Sequence, residues 1–294
     1  MNIRGSIRSA ARMAVAAAVL AAGTAAPGVA APPLREYGAP ARIAPMDGNL
    51  FLVSDFAEGA VHIVRARDLG IVRSVAIEGN PVGIAWSRGR IYVGNETKGQ
   101  VEAYALDGKR VASYGLPGSI RLPNSVVVLE DSGRLLVLDA YDKSIKAFAI
   151  DGDYLGTLTP PGVLANPSAM GYDASRGYLL VSDFGAFSSS LFRKGQAYVR
   201  LFDLGGAEVA RFSLAFSRPQ GLAVDGKGRL FVVESFLGQV RVLDANTGTE
   251  LGILGGQGML DLPLDAVYCA GIDSLLVTDS RNGRIAVLAP GAMP

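Results

Sequence analysis

The chain is predicted to be all-β, a ring of six four-stranded antiparallel sheets in the manner of a six-bladed β-propeller. Three observations predict it. Six short apolar runs each end in a polar, mostly acidic residue: LFLVSD to Asp55, RIYVGN to Asn95, RLLVLD to Asp139, YLLVSD to Asp183, RLFVVE to Glu234 and SLLVTD to Asp279. These ends are 40, 44, 44, 51 and 45 residues apart, a spacing that marks one four-stranded blade per repeat. The runs are apolar at consecutive positions, as in Leu135-Leu136-Val137-Leu138, so both faces of the strand must be covered by neighbouring layers.

The elements follow in order. Residues 1–30 read as a secretory signal peptide: Arg4, Arg8 and Arg12 form a basic head, Met13 to Ala22 is apolar, and small residues run to Gly28-Val29-Ala30. The apolar stretch is short for a bilayer span, so cleavage after Ala30 and a periplasmic or secreted protein without a membrane span are expected. Residues 31–294 are then a single propeller domain. Each blade opens on a Pro at the start of its first strand, where the missing N–H costs little: Pro81, Pro123, Pro167, Pro219, Pro263 and, more weakly, Pro40. The second strand is the run ending in the acid. A third strand alternates, as in Gln239-Val240-Arg241-Val242-Leu243, and a short polar fourth follows, such as Glu208 to Ser213. This gradient places the first strand at the axis and the fourth at the rim. The sixth repeat stops after its third strand, Arg284 to Leu288. Residues 34–38 are expected to supply the missing rim strand and leave no orphan edge at the seam.

Charge and composition remove some functions. Without residues 1–30 the 28 basic and 27 acidic residues become 25 and 27, a net charge of −2. Nothing in that balance favours nucleic acid, whose binding rests on neutralised phosphates. A single cysteine, Cys269, can form no internal disulfide and is expected to be buried in the apolar AVYCAG segment. A monomer is expected. No Ser-His-Asp set can be built without His62, the one histidine, and no glycine-rich phosphate loop is present.

Blade five, RPQGLAVDGKGRLFVVESFLGQVRVLD, and blade six, VTDSRNGRIAVL, resemble the NHL repeat. The likeness covers about residues 34–290 and is looser in the first and fourth repeats. It implies a six-bladed propeller used as a scaffold for binding proteins, RNA or small molecules, and in a few cases for enzymes. Related propellers of the gluconolactonase type hold Ca²⁺ at one end of the axis. By that resemblance Asn124, Gln220 and Asp265, which follow the blade-opening prolines, are candidate oxygen ligands for Ca²⁺. A plain channel mouth is the alternative, since only one of the three is charged. Amidating lyases of this architecture use histidine ligands. With one His and one Cys a zinc set is not expected, and His62 is read as a hydrogen-bonded structural residue.

The six recurring polar residues, five of them acids, are read as turn stabilisers accepting backbone N–H bonds, because a site-specific ligand need not recur in each blade. Departures from the repeat carry more information. Five blades take six residues from the acid to the matching position of the third strand, but blade four takes sixteen, from Asp183 to Val199. The extra loop holds Phe184, Phe187, Phe192, Arg193 and Lys194, and reads either as an aromatic and basic arm over the channel mouth or as a tolerated insertion packed on its own blade. Tyr141, Phe236 and Arg281 occupy the matching turns of other blades. Together these residues suit a protein, peptide or small organic ligand on the loop face. The expected function is a non-catalytic binding scaffold. The alternative is a metal-assisted hydrolase or lyase of the gluconolactonase or strictosidine-synthase type.

Overall fold

The computed structural model describes residues 37–159, 162–185, 197–213, 218–256 and 258–291. Six antiparallel sheets follow one another along the chain. Blade one is β1 (Pro40–Pro45), β2 (Leu50–Asp55), β3 (Ala60–Arg65) and β4 (Ile71–Ala76). Blade two is β5 (Pro81–Ser87), β6 (Arg90–Asn95), β7 (Gln100–Tyr104) and β8 (Arg110–Tyr114). Blade three is β9 (Pro123–Leu129), β10 (Arg134–Asp139), β11 (Ser144–Ala149) and β12 (Tyr154–Thr157). Blade four is β13 (Pro167–Asp173), β14 (Tyr178–Asp183), β15 (Tyr198–Phe202) and β16 (Glu208–Ser213). Blade five is β17 (Pro219–Val224), β18 (Arg229–Glu234), β19 (Gln239–Asp244) and β20 (Glu250–Gly255). Blade six has β21 (Pro263–Cys269), β22 (Ser274–Asp279) and β23 (Arg284–Leu288) among the described residues. The six-bladed all-β architecture read from the sequence is the one observed. Every blade opens on its proline, and every second strand ends on the repeated polar residue.

Burial explains the compositional gradient. The second strands are buried on both faces from their second residue onward. The fourth strands stay largely exposed. Apolar side chains pack in six clusters, one between each pair of adjacent blades. Each fully buried leucine or valine there stabilises the ring by roughly 1.5–3 kcal/mol. The cluster between blades six and one, with Tyr37, Phe51, Val267, Leu276 and Ile285, closes the ring and buries Cys269.

At the seam, the Tyr37 N–H donates to Gly283 O at 2.9 Å. Ile77 and Ile120, in the segments that join one blade to the next, make the same bond to Gly59 and Gly99. Tyr37 thus takes the place of a residue in the segment that leads into a blade's opening proline. The rim strand expected from residues 34–38 lies mostly outside the described residues.

One irregularity is repeated. In all six blades the register between first and second strands shifts near the opening proline. Such a bulge bends the strand and re-aims its side chains. A small hydroxyl residue before the turn acid satisfies the disturbed backbone in three blades. Ser54 Oγ accepts from Arg42 N at 3.0 Å, Thr278 Oγ1 accepts from Asp265 N at 2.9 Å, and Ser182 Oγ donates to Gln220 O at 2.6 Å. The Val-Ser-Asp and Val-Thr-Asp endings of β2, β14 and β22 have this role.

Candidate functional site

The bulges bring the residues after each proline together at the axis. The largest surprise there is Arg42, a buried arginine that the sequence reading did not single out. Its guanidinium spans the ring. Nε donates to Asn124 O at 3.1 Å, Nη2 to Ser168 O at 2.7 Å and Nη1 to Leu264 O at 3.4 Å. One side chain from blade one thereby ties blades three, four and six. Burial lowers the Arg42 pKa, and the charge of Asp265 acts the other way. Asp265 is partly buried, and desolvation pushes its carboxyl up to about 6 against the pull of Arg42 and two backbone N–H groups. Its Oδ2 accepts from Ile43 N at 3.2 Å. Gly221 is required beside it, because a Cβ there would overlap the Asp265 carboxylate.

Asn124 and Asp265 therefore lie beside a cation that the chain itself supplies, while Gln220 follows the opening proline of blade five. Asn124 Nδ2 donates to Ser168 O at 2.5 Å, and Gln220 is buried beneath Ser182. The carbonyls of Asn124, Ser168 and Leu264 are taken by the guanidinium, and Asp265 is the only carboxylate of the three candidate ligands. That donor set does not fit Ca²⁺, which needs six to eight oxygens. Beyond Arg42, away from the loop face, a cavity of about 350 Å³ runs along the first strands. Ile84, Val126, Met170 and Leu222 are among its walls, with Trp86, Tyr172 and Tyr268 toward the far end.

The loop face is formed by the turns between second and third strands and the segments between blades. Tyr141 and Phe236 project there and are half exposed, as are Phe56, Leu237 and Met259, while Leu116 is 77% exposed. Arg121 stacks on Tyr141 at 3.5 Å, and Arg218 lies between Phe236 at 5.0 Å and Phe184 at 5.6 Å. Arg281 pairs with Asp261 at 2.9 Å on the same face. Phe187, Phe192, Arg193 and Lys194 lie outside the described residues. The remaining exposed large apolar residues sit mainly on the rim strands, such as Val72, Val111 and Leu155.

The turn acids act as their recurrence suggests. Asp55 accepts the N–H groups of Gly38, Ala39, Ala57 and Glu58, and Asp139 those of Arg121, Leu122, Tyr141 and Asp142. A second regularity was hidden. Seven residues after the acid in blades one, three and five, the third strand brings a cationic or titratable group diagonally across the ladder. Lys146 reaches Asp139 at 2.6 Å, Arg241 reaches Glu234 at 3.0 Å, and in blade four Arg200 reaches Asp183 at 3.2 Å. Blade six uses Arg284, directly opposite Asp279, at 2.8 Å. Blade two reverses the polarity: Asn95 replaces the acid and faces the buried Glu102, which Lys98 and Arg110 neutralise. Burial raises the Glu102 pKa, but Arg110, Tyr104, Asn95 and Lys98 hold it down at about 2. Blade one has His62.

No family model matches the chain, and no curated protein matches it. Solved structures do. A chain titled Kuenenia stuttgartiensis hydrazine synthase aligns over 91% of this chain and 99% of its own, with TM-score 0.66 and 13% identity. A streptogramin B lyase structure aligns over 86% and 94%, with TM-score 0.63 and 12% identity. At such identities the likeness establishes the propeller fold. Among the described residues no helix is long and apolar enough to cross a membrane.

Proposed function

We propose that this is an exported, non-catalytic propeller of the NHL-repeat type that holds a protein or peptide partner on its loop face. The observation that carries the reading is the clustering of exposed Phe56, Leu116, Tyr141, Phe236, Leu237 and Met259 on the loops of one face. Six large apolar side chains exposed on the loops of one face support an interaction site there. Aromatic residues backed by arginines, as Tyr141 is by Arg121 and Phe236 by Arg218, are the side chains that dominate binding energy at protein interfaces. The enzymatic alternative is weaker, because the end of the axis where it needs a metal is filled by Arg42.

A photo-crosslinking residue at position 236 tests the reading in the producing cell. A discrete adduct is expected from position 236, absent from a probe at rim position 155 and lost when Tyr141 is changed to Ser. Identical adducts from both positions, or none from 236, would refute it.

A further inference from the structure

His62 is the one member of the diagonal set that carries no permanent charge. Its side chain is 4% exposed. Nδ1 lies 2.8 Å from Ser74 Oγ, and the Tyr37 ring covers it edge-on at 5.5 Å. Nε2 is buried without a hydrogen-bond partner. It is aimed between two carboxylates, 3.5 Å from Glu58 Oε2 and 3.9 Å from Asp55 Oδ2. Both distances exceed ordinary hydrogen-bond reach, so either neutral tautomer leaves Nε2 unpaired. One ligand atom from each of the three residues falls within 4.8 Å of the others.

The repeat shows what this place requires. Blades three, four and five put a covalently supplied cation against the turn acid. In blade one two carboxylates face a ring nitrogen, so the cation must come from solution. Asp55 is prepared for it. Three of its four backbone bonds fall on Oδ1, which leaves Oδ2 with one and a lone pair toward His62.

We propose that Asp55, Glu58 and His62 bind a first-row divalent transition metal ion, with zinc its representative. One imidazole nitrogen and two carboxylate oxygens are a donor set for such ions. Ser74 supplies the outer contact that fixes the ring when Nδ1–H donates to it. Glu58, 48% exposed, is the ligand open to solvent and the side from which the ion enters. Three protein ligands leave the remaining positions to water or to a group of a bound partner.

The test is zinc titration of the chelator-stripped protein by isothermal calorimetry at pH 7.5. One zinc per chain is expected, with a melting temperature that rises with free zinc as binding to the native state requires. Glu58→Gln, at an exposed position, should weaken binding at least tenfold. His62→Lys places in blade one the residue that blade three already holds here, so it should fold with an unchanged melting curve and lose zinc more than about a hundredfold. Cobalt should give visible absorption bands in the wild type and none in His62→Lys. No zinc uptake, or equal affinity in both variants, overturns the proposal. So does a protein that takes no zinc but gains stability as pH falls from 7.5 to 5.5, since the proton would then be the cation.

Discussion

Blades one and three carry the same carboxylate on the same strand end, yet across the ladder one offers His62 and the other Lys146. In blade three the acid is permanently neutralised, at 2.6 Å, and the turn is a finished structural unit. In blade one the nearest ring nitrogen is 3.9 Å from Asp55 and unpaired. The difference sets a turn neutralised within its own chain against one whose buried ring nitrogen has no hydrogen-bond partner. It also separates what the ring needs to stand from what it can bind.

The comparison is broken most severely by removing the acids. Asp139→Ala deprives four N–H groups of their acceptor and leaves the partly buried Lys146 with Asp142 and the Ser119 carbonyl, so a loss of about 3–5 kcal/mol is expected. Asp55→Ala, in metal-free buffer at pH 7.5, should cost about 1–2 kcal/mol less, because His62 can stay neutral. Urea unfolding of both variants measures this, and equal losses would mean that blade one has no missing cation. Acid weakens both wild-type turns in the same direction. Each carboxyl is held below its ordinary value, so its contribution is complete above about pH 4 and lost as pH falls further.

The axis sharpens the comparison with the opposite sign. Asp265 is raised to about 6 by burial, so wild-type stability should decline as pH rises from about 4 to about 6. The decline should be roughly 3 kcal/mol at most. Asp265→Asn should abolish it, as seen in melting temperature against pH, and a variant that retains the full decline would place its origin elsewhere. The smallest effects belong to blade one itself. His62→Lys should change stability by no more than about 1 kcal/mol, and Glu58→Gln by about 0.5 kcal/mol or less. A loss of several kcal/mol in His62→Lys would show that the pocket cannot accept the fixed cation of blade three.

The fold was legible because strand burial repeats. The blade-opening prolines, the two-sided apolar second strands and the polar fourth strands all follow from one packing rule. The axial plug was not legible, because Arg42 finds its partners only after the ring closes. Its acceptors are backbone carbonyls 82, 126 and 222 residues away, which leave no side-chain signature. Asn124 and Asp265 were candidate ligands for a metal ion, and the cation beside them in the structure is the Arg42 guanidinium. His62 was read by itself as a structural residue, and its bond to Ser74 agrees with that. The Asp-x-x-Glu-x-x-x-His spacing of Asp55, Glu58 and His62 was the available signal. It was masked because the acid recurs in nearly every blade, whereas the histidine occurs once. The aromatic turns were legible as a face, since Tyr141 and Phe236 needed only the turn register to place them.

The central claim is that blade one takes from solution the cation that blades three, four and five supply by chain. A crystal grown with zinc and measured on both sides of the zinc absorption edge tests it most directly. One anomalous peak bounded by His62 Nε2, Asp55 Oδ2 and Glu58 is predicted, with Ser74 against Nδ1. A map with no peak there, and Glu58 turned to solvent, would contradict it.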